Sequence, residues 1–126
     1  MEMTTHALGW FEIPVSDFDR AKRFYSAIFD YDMPEMMMGP CRMGFLPPDQ
    51  GAGVGGAIVA GVGYMPSQAG TLVYLAGGAD LSGVLGRVAG AGGTVLVPKT
   101  PITPEYGYFA YFQDTEGNKV GLHSLG

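Results

Sequence analysis

A carboxylate and an imidazole, each two positions from a residue that looks able to shape a site, are the chain's clearest candidates for chemistry. Glu12 follows Trp10 by two, and His123 follows Gly121 by two. Strand residues two apart share a face, so Trp10 and Glu12 would sit side by side. A carboxylate among apolar groups is desolvated, which favours its protonated form and suits a general acid or base. Alternatively, Glu12 meets Lys119 or another cation as a buried pair. His123 reads either as a proton carrier or ligand contact, or as a surface histidine at a strand end. Trp10 offers a flat face for stacking a ring or thioether, or simply fills a core. Thr71 can hydrogen-bond a ligand, although strands also carry Thr for propensity alone.

Softer groups suggest a pocket. Five of the eight methionines are Met33, Met36, Met37, Met38 and Met43. Met adapts to irregular apolar partners, so Met37 and Met43 are candidates for a promiscuous pocket or a dimer face, with strand packing as the plainer alternative. Tyr106, Tyr108, Phe109, Tyr111 and Phe112 put rings on both faces of one strand, which implies burial on both sides. Cys41, the single cysteine, has no His beside it in sequence, and it is not read as a nucleophilic thiolate.

Several function classes are disfavoured. The net charge is −5 and no Lys/Arg cluster occurs, so nucleic acid and anionic membranes are poor partners. The opening residues lack the basic start and apolar run of a signal peptide, and no run reaches the ~18 apolar residues of a membrane span. With one cysteine and no disulfide pattern, a reducing cytoplasm is expected. The Gly51–Gly56 run lacks Gly-Lys-Ser/Thr and leads into a strand, so it is no phosphate loop. No Gly-x-Ser-x-Gly elbow occurs.

The elements that would position these residues come next. The 126 residues, 47% hydrophobic, suit one globular domain over 1–126. Ala7–Val15 reads as a strand, with Leu8, Trp10, Glu12 and Pro14 on one face. Ser16 is placed as the cap of a helix whose apolar stripe is Phe18, Ala21, Phe24, Tyr25 and Ile28. Strands are predicted at Tyr31–Met38, Cys41–Leu46 and Val54–Val62. Thr71–Ala76 begins a second series, followed by a glycine-weakened helix over Asp80–Ala91 with Leu81, Val84, Leu85 and Val88 on one face, ended by Gly92-Gly93. Thr94–Val97, Tyr106–Gln113 and Lys119–Ser124 are strands, the last two joined by a turn at Asp114–Asn118.

The order is βαβββ twice, over about residues 7–65 and 70–124. An offset of 61 places Asp19 on Asp80, Trp10 on Thr71, Val15 on Ala76, Phe24 on Leu85 and Ile28 on Ala89, which supports an internal repeat. An unrelated α+β sheet with similarly spaced helices is the alternative.

The stretch from Gly9 to Tyr25, with its Val15-Ser-Asp17 step and its Phe24-Tyr25 end, resembles the opening strand and helix of vicinal-oxygen-chelate proteins, the glyoxalase and bleomycin-resistance group. Ala91-Gly-Gly-Thr-Val95 and Asp114-Thr-Glu-Gly-Asn-Lys-Val-Gly-Leu122 resemble that family's second-half helix end and last hairpin. Pro98-Lys-Thr-Pro-Ile102 with Tyr106–Phe112 is similar to a glyoxalase-like bacterial subgroup. The resemblance implies an α+β fold of two βαβββ repeats forming an incomplete barrel around a cavity, and a homodimer. It leaves the chemistry open, since members include glyoxalase I, extradiol dioxygenases, epimerases, fosfomycin-resistance transferases and bleomycin-binding proteins.

The resemblance also implies four metal-ligand positions, which fall here at Trp10, Thr71, Gly121 and near Ala60. None supplies the imidazole, carboxylate or thiolate that divalent metals need, so no metal or other cofactor is expected. A displaced site using Glu12 and His123 is geometrically conceivable. Three functions stand: a metal-independent lyase or isomerase with Glu12 and His123 as catalytic groups; a non-catalytic module sequestering a drug or metabolite on Trp10, Thr71, Lys119, Tyr111, Met37 and Met43; and a metal-dependent glyoxalase I or dioxygenase relative. The first two take a small, largely apolar organic molecule.

Overall fold

A computed structural model describes residues 6–47 and 53–126; the first residues of the Gly51–Gly56 run lie outside them. The predicted stripe of the first helix is its buried face. Phe18, Ala21, Phe24, Tyr25 and Ile28 of α1 (Phe18–Phe29) are all buried, as helical periodicity requires. The cap is Asp17, not Ser16: its Oδ1 accepts the Arg20 N–H at 3.1 Å. The Ser16 N–H instead donates to Glu116. Asp30 ends the helix in the left-handed region, at φ 53°, and the Tyr31 N–H closes back on the Ser26 carbonyl.

Before α1 runs β1 (Phe11–Pro14); after it come β2 (Glu35–Met38), β3 (Cys41–Leu46) and β4 (Gly56–Ala60). The second series is β5 (Tyr74–Ala76), α2 (Ser82–Val88), β6 (Thr94–Pro101), β7 (Tyr108–Gln113) and β8 (Lys119–Ser124). Each series makes its own four-stranded mixed sheet, ordered β1-β4-β3-β2 and β5-β8-β7-β6. Neither sheet closes into a barrel. In both, the first strand lies parallel to the last and the remaining pairs are antiparallel. One core draws on both halves, joining Ile13, Phe24, Tyr25 and Ile58 to Leu75, Val88, Phe112 and Leu122.

The repeat is real, but its register is not 61. The Val15 N–H bonds the Val59 carbonyl, and the Gly77 N–H bonds the His123 carbonyl. Val15 therefore corresponds to Gly77, 62 positions on, and Glu12 to Tyr74. In the helices the offset is 63, matching buried Phe18, Ala21 and Tyr25 to buried Leu81, Val84 and Val88. The link from Gly77 to Leu81 is one residue longer than that from Val15 to Phe18, and it passes Gly78 at φ +83°. A one-residue slip exchanges strand faces, so Trp10 aligns with Leu72 and not Thr71.

The hairpin after β7 locks the halves together. Glu116 Oε1 accepts the Ser16 and Asp17 N–H groups at 3.0 and 2.8 Å, where the dipole of α1 favours an anion. Its Oε2 takes Arg20 Nε at 2.7 Å. Burial alone would push the Glu116 carboxyl up; the bonds from Arg20, Asp17, Thr115 and Ser16 outweigh it and hold it below the usual carboxylate value. Beneath it, Tyr25 donates to Asp114 Oδ2 at 2.7 Å, and Asn118 Nδ2 reaches both Asp114 and the Pro14 carbonyl. The turn residues that mark this hairpin in the sequence are thus a polar clasp between the halves.

Candidate ligand-binding site

In both halves the helices cover one sheet face and leave the other open. Alternation decides which side chains stand there. On the second sheet Leu75, Ala110, Phe112, Val120 and Leu122 face the core, leaving Tyr74, Ala76, Phe109, Tyr111 and His123 on the open side. These residues, with Ile102 and Tyr106, line a pocket of about 610 Å³. The aromatic run divides as expected for a strand with rings on both faces. Tyr108 and Phe112 pack on the core, while Phe109 and Tyr111 line the pocket. Tyr106 precedes β7 and reaches the pocket through Gly107, at φ +77°. A Cβ on Gly107 would lie 2.2 Å from the Ser124 carbonyl oxygen.

The polar groups of the pocket are few. The hydroxyls of Tyr74 and Tyr111 lie 2.7 Å apart. His123 Nε2 is 2.6 Å from the Tyr106 carbonyl, which holds the imidazole against the backbone. Lys119 places its Nζ 4.5 Å from the centre of the Tyr111 ring, a cation–π contact at the pocket's edge.

Trp10, Glu12, Thr71 and Lys119 converge elsewhere. They share a cleft of about 400 Å³ with Leu8, Met65 and Val73. Glu12 is exposed. It accepts the Tyr64 hydroxyl at 2.8 Å and the Trp10 indole N–H at 3.3 Å. The desolvation expected of a cavity carboxylate is therefore not present, and neither is the pairing with Lys119. Glu12 and His123 stand on separate sheets and line separate pockets, so one chain does not assemble the displaced two-residue metal site.

The methionines scatter. Met33 enters the core; Met43 packs with Ala57 and Val59 on the open side of the first sheet. Met36, Met37 and Met38 are exposed along the edge strand β2. Met37 and Met43 thus line neither pocket. Sequence reasoning did not single out Tyr74, Ile102 or Tyr64. Tyr74 had a signal, since it alternates with core-facing Leu75 in a recognised strand. Ile102 and Tyr64 lie in loops, where no periodicity marks a direction.

The four positions where the resemblance implies metal ligands do not fit a divalent ion. Trp10 leans on Glu12, Thr71 is exposed, and Gly121 has no side chain. Ala60 packs towards the core, and the open-side residues of β4 are Ala57 and Val59. Among the described residues no three His, Cys, Asp or Glu side chains gather into a possible metal site. Among them, too, no helix is long and apolar enough to cross a membrane.

Comparison with known proteins agrees with this architecture. TnmS3, an antibiotic binding protein from Streptomyces sp. CB03234, is 26% identical, with a TM-score of 0.67 over 99% of this chain and 100% of that one. A glyoxalase/bleomycin resistance protein from the same organism is 27% identical, with a TM-score of 0.65 over 92% of this chain and 98% of that one. A glyoxalase I variant from Zea mays shares the fold at 17% identity and a TM-score of 0.63, over 94% of this chain and 46% of that one. No curated protein sequence matches. The family model for the Glyoxalase/Bleomycin resistance protein/Dioxygenase superfamily matches residues 7–122, and the chain belongs to that superfamily.

Proposed function

We propose that the chain binds a small planar aromatic molecule on the open face of its second sheet. One observation carries this reading: Tyr74, Tyr106, Phe109, Tyr111 and Ile102 surround about 610 Å³ with His123 and two phenolic hydroxyls as the polar features. Ligand sites are typically apolar concavities of this size with a few polar groups for orientation. Flat rings stack well on tyrosine and phenylalanine. The similarity to an antibiotic binding protein supports a binding role and makes an aromatic antibiotic a natural class to try first. No reaction is required of such a site.

A second copy of the chain is the partner we propose for the open faces. Trp10, Tyr74, Ile102 and Tyr106 are each at least 44% exposed, and large exposed apolar side chains in a group suit an interface. Sedimentation at micromolar concentration should then give the mass of two chains.

A second reading is a metal-independent lyase or isomerase. It is favoured by the meeting of Trp10, Glu12, Thr71 and Lys119 in one cleft. Turnover of a bound aromatic ligand that stops in Glu12→Gln would support it; binding without turnover supports sequestration. The binding proposal is tested by thermal unfolding against a panel of planar aromatic compounds. Bound ligand raises the midpoint with its concentration, and Phe109→Ala should abolish the rise. A panel that leaves the wild-type midpoint unmoved contradicts the proposal.

A further inference from the structure

Gly121 stands where the family resemblance implies a metal-binding carboxylate, and the space above it is not idle. Tyr74 on β5 and Tyr111 on β7 both pair with Gly121 across the sheet. The Tyr74 ring lies over the glycine so closely that a Cβ there would come within 2.5 Å of it. The absence of a side chain at Gly121 thus admits the ring. It also brings the two hydroxyls to 2.7 Å, with the ring centres 5.8 Å apart.

Two phenol hydroxyls hold two protons to donate and several lone pairs. Their mutual bond uses one proton. The second has no protein acceptor among the described residues, and Tyr74 is 48% exposed at the pocket. The bond to Tyr111, with burial, holds the Tyr74 hydroxyl up at about 12, so that hydroxyl stays protonated near neutrality. What it offers a ligand is a neutral O–H donor set in an aromatic wall.

We propose that the Tyr74–Tyr111 hydroxyl pair, seated over Gly121, is the polar anchor of this pocket and selects planar aromatic ligands that carry a ring carbonyl. This rests on the pocket reading above and deepens it: a carbonyl accepts the spare proton, while an unsubstituted hydrocarbon leaves it unbonded. The chain would thereby have exchanged a cation-holding position for one that recognises a neutral oxygen.

Fluorenone and fluorene are flat, similar in shape, and differ by the carbonyl. Their affinities should be measured on wild-type protein, the Tyr74→Phe/Tyr111→Phe double variant and Gly121→Ala. Wild type should prefer fluorenone by roughly five- to tenfold, the worth of one net hydrogen bond. The double variant should lose that preference yet still bind fluorene. Gly121→Ala should also lose it, with both hydroxyls present but Tyr74 displaced. The infrared carbonyl stretch of bound fluorenone should be lower on wild type than on the double variant. Equal affinities on wild type, or a preference that survives in the double variant, would overturn the anchor while leaving the pocket reading intact. If neither compound binds wild type, the pocket reading and the anchor fall together.

Discussion

The two halves share one topology and use it in opposite ways. Strand pairing sets Glu12–Ala57–Phe45 of the first sheet against Tyr74–Gly121–Tyr111 of the second, and Pro14–Val59–Met43 against Ala76–His123–Phe109. In the first half Met43, Ala57 and Val59 are buried by one another and by Cys41, Phe45 and Tyr64. That face fills itself. In the second half the corresponding residues surround a pocket. A methyl at Ala57 and isopropyl at Val59 close a surface that hydrogen at Gly121 and imidazole at His123 leave open. The helices differ too. α1 has twelve residues, an Asp17 cap and a stripe with three buried aromatics; α2 has seven, no side-chain cap, and glycines at 83 and 86. The better-built helix lies in the half with the closed face, and the more open face lies in the half with the weaker helix.

The clasp between the halves is where substitution should cost most. Asp114 accepts from Tyr25, from the Glu116 and Asn118 N–H groups and from Asn118 Nδ2. Asp114→Ala strands these donors in a buried setting, and chemical unfolding should show a loss of about 3 kcal/mol or more. A loss under about 1 kcal/mol would mean that the halves are joined by their shared core alone.

Exchanging the open faces tests the comparison directly. Phe109→Met with His123→Val gives the second sheet the residues of the first. Affinity for a planar aromatic ligand should fall by about tenfold or more, since a stacking ring and the wall beside it are removed. Unchanged affinity would place the site elsewhere.

The helices sharpen the contrast at smaller scale. Asp17→Ala should cost about 1 kcal/mol through the lost cap. Gly86→Ala should gain up to ~1 kcal/mol, because a Cβ there meets nothing within 4 Å. Both are read from the midpoint of urea unfolding.

The smallest effect is one of pH. Glu116 has its carboxyl lowered in the folded chain from the usual 4.5. A depressed carboxyl contributes stability above its unfolded value and loses it as pH falls through the folded one. Wild type should therefore lose stability on acidification below about 4.5 more steeply than Glu116→Gln, as acid titrations of the two would show.

Much of this was legible in the sequence, for reasons that differ by element. The α1 stripe showed because five apolar residues recur at helical spacing. β3 and β8 have the predicted bounds because turn residues flank them. The repeat order was readable, but its register was not: Gly78 adds a residue between strand and helix, and an ungapped comparison absorbs that shift as a change of face. Ser16 and Asp17 are both good caps by type; only Glu116, a hundred positions on, takes the Ser16 N–H and leaves the capping to Asp17. Trp10 and Glu12 share a strand face, as a spacing of two requires, and His123 shares one with Gly121. That they form two pockets instead of one depends on how the sheets sit under the helices, which no local pattern records.

On the function proposed above, the second sheet's open face, and not the first's, receives the ligand. Titrating fluorenone into the protein while following the aromatic ring signals by nuclear magnetic resonance tests it most directly. The Tyr74, Phe109 and Tyr111 rings should shift together and saturate at one ligand per chain. Shifts confined to Phe45 and Tyr64, with the second-sheet rings unmoved, would contradict it.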